Sequence, residues 1–201
     1  MSWIREIPYE KAEGKLKKMY DRVKGPDNNI DNILQVHSLR PHSLTGHMYL
    51  YKNVLHHADN AIPKWILETL GVYVSHLNQC EYCVKHHFAG LTRLLQDDAK
   101  AHTIWEAIMQ DSFEGKLEAR VIVAIQYAKA LTLMPATLTQ EALLPLKAAG
   151  FSDSEILEIN QVVSYFNYAN RTVLGLGVNL DGDILGLSPN DNDDPANWSH
   201  T

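Results

Sequence analysis

The chain's two cysteines lie three positions apart in the run Cys80-Glu81-Tyr82-Cys83. His86 and His87 follow closely, and eleven residues separate Glu68 from Cys80. A close dithiol beside an imidazole, with a carboxylate upstream, has the ingredients of redox catalysis. Two sulfurs can cycle to a disulfide, and proton carriers can move their charges. If Cys80 to His87 occupies one helix, about 100° per residue places Cys80, Cys83 and His87 within roughly 60° of one another. The same spacing brings the two cysteine Cα atoms to about 5 Å, inside the disulfide window. His87 lies one turn after Cys83, where side chains meet, and could take the thiol proton or stabilise the thiolate. Both cysteines fall near a helix start, where unpaired N–H groups favour an anion. Helix position favours Cys80 as the attacking sulfur and the neighbouring imidazole favours Cys83, so spacing leaves the choice open. Glu68 is a candidate proton acceptor if the fold brings it near.

Other chemistries use similar residues. Cys80, Cys83, His87 and Glu68 would make four zinc ligands, although a structural zinc site usually brings a second closely spaced pair. Haem attachment needs a histidine directly after the second cysteine, where Val84 stands. A thioredoxin-like site needs a strand before the helix, and the preceding segment reads as helix. Two buried cysteines that merely pack are the plainest alternative.

The elements that must hold these residues read as helical throughout. Residues 9–24 carry Ala12, Leu16, Met19, Tyr20 and Val23 at helical spacing, and Gly25-Pro26-Asp27 breaks the run. A short helix is expected over 33–38. Leu44, Met48, Tyr51 and Leu55 mark another over 43–57, and Pro63 opens a third. Asn78 is expected to cap a helix holding Cys80 to Leu95. Asp97 and Asp98 start the next, and 117–133 forms a long apolar helix. Pro145 gives the 137–149 segment a kink or a late start. Ser152 and Glu155 form a capping-box signature for a helix reaching about Tyr168 or beyond. No segment alternates as a strand does. The predicted fold class is therefore all-α, with a helical domain over 1–181 and an acidic tail over 182–201, extended or mobile.

Bulk properties narrow the partners. At 201 residues the chain buries enough surface to fold without disulfides. A net charge of −6 with no basic block argues against nucleic-acid binding. No apolar run is long enough for a membrane span. The N-terminus has no signal-like core, so the expected location is the cytoplasm, where a CxxC pair is more often catalytic or metal-binding than structural.

Taken together, Glu68, the Cys80-x-x-Cys83 pair and His87 resemble the signature of AhpD-like alkylhydroperoxidases, in the wider carboxymuconolactone decarboxylase superfamily. The peroxidase-related branch is the most similar, through the segments 74–87, 127–132, 146–159 and 165–171. The resemblance spans roughly Ile7 to Asp181. It implies an AhpD-like antiparallel helical fold and a homo-oligomer. It implies reduction of hydrogen peroxide or alkyl hydroperoxides, with no bound metal or organic cofactor. It also implies that Cys83 is the peroxidatic cysteine, Cys80 the resolving cysteine, and Glu68 with His87 the proton relay. An external dithiol, lipoyl-type or thioredoxin-like, would be the reductant. Tyr82 departs from the pattern, because the best-known AhpD proteins carry a second histidine between the cysteines and a phenol does not relay protons near neutral pH as imidazole does. The decarboxylase branch, which transfers protons on a lactone, is an alternative that does not need both cysteines.

Several other residues are less specific. His86 points about 100° from His87 and reads as a surface or interface residue. His37, His42, His47, His56 and His57 lack metal spacing and read as ordinary polar positions. Tyr165, Phe166 and Tyr168 are expected in the core, at an interface or lining the substrate pocket. Asn167, Asn170 and Arg171 are expected to hydrogen-bond within the core or across subunits. Trp3, Trp65 and Trp105 are expected to pack. Trp198 either anchors the tail on a groove or stays exposed.

Overall fold

A computed structural model describes residues 2–189 and 198–200. Among them are the α-helices α1 (Gly14–Val23), α2 (Asn32–Gln35), α3 (Pro41–Leu55), α4 (Lys64–Leu77), α5 (Glu81–Leu95), α6 (Asp98–Met109), α7 (Ala119–Leu133), α8 (Leu144–Ala148) and α9 (Asp153–Leu176). The described residues form no strand; Pro189 and His200 make an isolated antiparallel bridge. The all-α expectation holds.

Helix α4 is the centre of the molecule. It packs against α5, α7 and α9, and every residue from Ile66 to Ser75 is buried. A helix apolar around its whole circumference is stable only when neighbours cover it on all sides. Glu68 is the charged residue within that buried run, so it must find a partner or be neutral. Gly71 lets α9 come close: a Cβ there would lie 2.2 Å from the Phe166 ring.

The reversal between α4 and α5 sets the positions of the cysteines. Asn78 closes α4, Gln79 takes a left-handed conformation with φ 57°, and the Cys80 N–H donates to the Ser75 carbonyl. Cys80 is thus the N-cap of α5 rather than a residue inside it. Asn78 does not cap α5 as expected; its amide donates to the Asn167 and Asn170 side chains, at 3.0 and 2.9 Å. The reason is geometric. A left-handed residue at 79 turns the chain so sharply that position 80 takes the cap.

Helix α9 runs 24 residues and ends at Gly177, φ 63°. Its N-terminus carries the expected capping box: Ser152 Oγ accepts from the Glu155 N–H, and the Glu155 carboxylate accepts from the Ser152 N–H. Pro145 sits in the first turn of the short α8, after two 3-10 turns, Pro135–Thr137 and Gln140–Leu143. That is the late start rather than the kink.

The described part of the tail is non-helical and lies against the body. The Asp183 side chain is buried. Trp198 is fully buried, with Arg22 over its ring at 3.7 Å and Tyr49 edge-on at 4.8 Å. Of the two outcomes expected for Trp198, it anchors the tail. Residues 190–197 of the expected tail lie outside the described residues. Trp3, expected to pack, is 78% exposed and lies over Gly177. No helix among the described residues is long and apolar enough to cross a membrane.

Candidate active site

Helices α4 and α5 run side by side from a tight turn, so Glu68 and His87 face each other across the pair. His87 Nδ1 lies 2.9 Å from Glu68 Oε2, both side chains largely buried. A carboxylate accepts and does not donate, so this contact fixes a hydrogen on Nδ1 and leaves Nε2 as the ring atom that can gain or lose a proton. Burial pushes the Glu68 carboxyl up. The charge and hydrogen bond of His87 outweigh it, helped by His56 and Lys64, and hold Glu68 below the usual carboxylate range. Phe166 meets the His87 ring edge-on at 4.5 Å and Tyr51 meets it at 6.1 Å, which fixes its plane.

The two thiols are free and buried. The Cys83 thiol hydrogen-bonds to Cys80 and raises its own affinity for the proton; burial and the adjacent Cys80 charge push it further above the ordinary thiol range. The same hydrogen bond lowers Cys80 against its own burial, with the Cys83 backbone N–H and the Asn170 amide adding to the effect. The first negative charge of the pair therefore rests on Cys80, at the N-cap of α5. Asn170 is fully buried on α9 and also donates to Ser75 Oγ at 3.0 Å. Of the late polar cluster of α9, Asn170 bonds within the core and supports the dithiol, Asn167 is half-buried, and Arg171 is exposed and donates to Asn167.

A cavity of about 40 Å³ opens beside Cys83, Glu68 and His87. It has room for roughly three water molecules, at about 10–15 Å³ each. Cys83 lines it and Cys80 does not. Tyr51 and Tyr165, stacked at 5.3 Å, form part of the wall, so Tyr165 is a pocket residue. Burial, above all, holds both phenols well above their ordinary range, so they keep their hydrogens and can donate them.

The opposite wall corrects the sequence reading. His86 is buried rather than on the surface, and its Nε2 lies 3.1 Å from Asp183 Oδ2. The Tyr82 hydroxyl donates to the same oxygen at 2.5 Å and accepts from the Ile33 N–H at 3.1 Å. Asp183 also accepts from the Asn32 N–H, at 3.0 and 3.1 Å. Asp31, His47 and His200 complete this side. His47 and His200 are buried and held neutral. Burial lowers His47 to about 3 and His200 to about 4, with neighbouring histidines adding to the effect. His47 Nδ1 is buried without a hydrogen-bond partner. None of Asp31, Asp183 or His200 has a signal in the local sequence, because they reach the cysteines only through the fold. Tyr82 and His86 do carry one, since residues four apart share a helix face.

Among the described residues no group of three or more His, Cys, Asp and Glu side chains is placed to hold a metal ion. The four-ligand zinc alternative thus lacks its geometry: Glu68 and His87 pair with each other, and the cysteines pair with each other.

The fold is AhpD-like. Residues across 73% of the chain match 74% of a peroxidase-related protein from Silicibacter sp. TM1040, with 23% identity and a TM-score of 0.64. A second match, described as an alkylhydroperoxidase AhpD core, is a peroxidase-related protein from Ralstonia eutropha JMP134. It covers 89% of this chain and 91% of that one, at 17% identity and a TM-score of 0.73. The debrominase Bmp8, as a cysteine-to-alanine variant in complex with 2,3,4-tribromopyrrole, matches over 90% of this chain and 91% of its own, at 16% identity and a TM-score of 0.68. The fold thus serves more than one kind of enzyme. No family profile and no curated protein sequence matches the chain.

Proposed function

We propose that this protein is a thiol-dependent peroxidase that reduces hydrogen peroxide or small alkyl hydroperoxides through a Cys83/Cys80 cycle. The observation that carries the reading is Cys83 in the wall of a small cavity that the paired His87 and Glu68 also line. Cys83 passes its proton to His87 Nε2 and attacks the terminal peroxide oxygen. The S–O bond forms as the O–O bond breaks, giving a sulfenic acid and an alcohol or water. Cys80 then attacks the Cys83 sulfur, a disulfide forms, and water leaves. The low proton affinity of Cys80 suits this second step, because its thiol readily gives up the proton with which the departing hydroxide leaves as water.

An external dithiol restores the pair by thiol–disulfide exchange. Both sulfurs are almost fully buried, which favours a slender lipoyl-type arm over a bulky thioredoxin-like face. The protein is proposed to act as a homo-oligomer, which light scattering after size exclusion checks directly.

The test is peroxide consumption with a dithiol donor. Cys83→Ser is expected to abolish turnover. Cys80→Ser is expected to stop after one equivalent, with a stable sulfenic acid trapped on Cys83 and located by mass spectrometry. If both variants consume peroxide as fast as the unaltered protein, the mechanism is wrong. A trap that labels Cys80 in Cys83→Ser, at the rate seen for Cys83 otherwise, would reverse the two roles.

A further inference from the structure

Asp31 occupies the N-cap position of α2, yet its carboxyl makes no capping bond. An N-cap aspartate ordinarily accepts from the N–H groups of the first turn. Here Asp183 reaches in from the C-terminal tail and accepts from the Asn32 N–H with both oxygens. The next N–H, of Ile33, which an N-cap side chain could accept from, is taken by the Tyr82 hydroxyl. Asp31 instead lines the cavity that Cys83 lines. Asp31 is 7% exposed, and the Asn29 amide donates to its Oδ1 at 3.1 Å.

Several other proton-bearing groups of the cavity already hold a partner. His87 and Glu68 hold each other. His86 Nε2 faces Asp183, and the Tyr82 hydroxyl both donates and accepts. The site also has a chemical need that these groups leave open. When the O–O bond breaks, the departing oxygen leaves as a strongly basic alkoxide or hydroxide, which needs a proton in the transition state.

We propose that Asp31 is the general acid of the peroxidase reaction proposed above, donating its carboxyl proton to the departing oxygen of the hydroperoxide. The proposal rests on that reading of Cys83. Cys83 thiolate bonds to the terminal oxygen and is oxidised by two electrons, and the O–O bond breaks. The Asp31 O–H bond breaks as the alcohol or water forms, leaving a carboxylate. The proton that Cys83 gave up returns to Asp31 before the next cycle, so the net reaction is two thiols and one hydroperoxide to a disulfide, an alcohol and water.

The groups facing Asp31 are consistent with this role. His86 and Tyr82 come from α5, Asp183 from the tail and Tyr51 from α3. Burial, with Asp183 adding its negative charge, raises the Asp31 carboxyl to about 7 against the opposing pull of His86. A carboxylic acid that keeps its proton near neutral pH is able to donate it. Asp31 thereby does what the histidine between the cysteines cannot do here, where Tyr82 stands.

The experiment compares leaving groups. Asp31→Asn keeps the shape of the side chain and removes its acid. Sulfenic acid formation on Cys83 is measured with tert-butyl hydroperoxide, whose alkoxide needs a proton, and with peracetic acid, whose acetate does not. Alkylation of Cys83 by iodoacetamide, which expels iodide, is the third arm. The expected result is a loss on the order of 100-fold with tert-butyl hydroperoxide, less than 3-fold with peracetic acid, and unchanged alkylation. Equal loss in all three arms would mean that Asp31 only supports the fold, and the acid role would be overturned. No loss with tert-butyl hydroperoxide overturns it too, while leaving the peroxidase reading intact. If the unaltered protein forms no sulfenic acid with either peroxide, the peroxidase reading fails and the acid role with it. Should Asp31→Asn not fold, Asp31→Ser, which keeps a residue suited to an N-cap, carries the same comparison.

Discussion

Tyr82 shows how one substitution between two cysteines reorganises a site. Imidazole at this position would be a proton carrier. A phenol held well above its ordinary range by burial, and by the charges of Asp183 and Asp31, is a structural donor. It ties α5 to α2 through the Ile33 N–H and to the tail through Asp183. Tyr82→Phe leaves a backbone N–H and a buried carboxylate short of a partner, each loss costing about 1–3 kcal/mol. The expected outcome is a fall of that size in unfolding free energy, read from urea midpoints at constant slope; an unchanged midpoint would show that the two bonds contribute nothing. Legibility divides at this scale along sequence distance. Glu68, Cys80, Cys83 and His87 lie within 20 residues, and helix spacing alone relates three of them. His86 was misread because its angle to His87 says nothing about what covers the other face. That cover is Asp183, separated from His86 by 97 positions, and no local pattern announces it.

Most helices are legible because amphipathic stripes, prolines and a capping box are local signals. What is missed are the joints. Gln79 adopts a left-handed backbone without being glycine, and that single turn moves Cys80 from the first turn of α5 to its cap. The consequence is chemical as well as topological: Cys80 sits where helix N–H groups favour a thiolate, while Cys83 is placed in the cavity wall. The α4–α9 contact is equally invisible to periodicity, although it fixes the relay. Gly71 on α4 faces Phe166 on α9, and Phe166 holds the His87 ring. Gly71→Ala gains up to about 1 kcal/mol in helix propensity. It also drives a methyl into the ring, and overpacking of this kind costs about 1–3 kcal/mol. The displaced Phe166 shifts His87 relative to Glu68. We expect a thermal midpoint lower by several degrees together with slower peroxide reduction; a midpoint equal to or above that of the unaltered protein would mean that the ring moves aside freely.

At the scale of the molecule, the tail makes the helical body and the cavity one unit. Trp198 is locked between Arg22 and Tyr49, Asp183 binds the start of α2, and His200 helps to line the cavity. Sequence composition marks the tail as polar and hides the few residues in it that are buried. This closure carries a proton linkage whose sign can be worked out. His47 and His200 have folded values of about 3 and about 4, below the roughly 6.5 of an unfolded histidine. Between pH 5 and 6.5 the unfolded chain therefore binds more protons at these two sites, so stability is lost as pH falls. Asp31 works in the opposite sense. Its folded value of about 7 exceeds the unfolded value of about 3.9, so over the same range the native state keeps a proton that the unfolded chain loses. Two protons against one leave a net dependence on the order of 1 kcal/mol per pH unit, and the lowering of His37 by burial adds in the same direction. The expected measurement is an unfolding free energy that falls as pH drops from 6.5 to 5. His200→Asn should make the slope shallower by about one proton and Asp31→Asn should make it steeper by about one. If His200→Asn leaves the slope unchanged, His200 is already protonated in the native state and the tail does not close the cavity as a buried neutral wall.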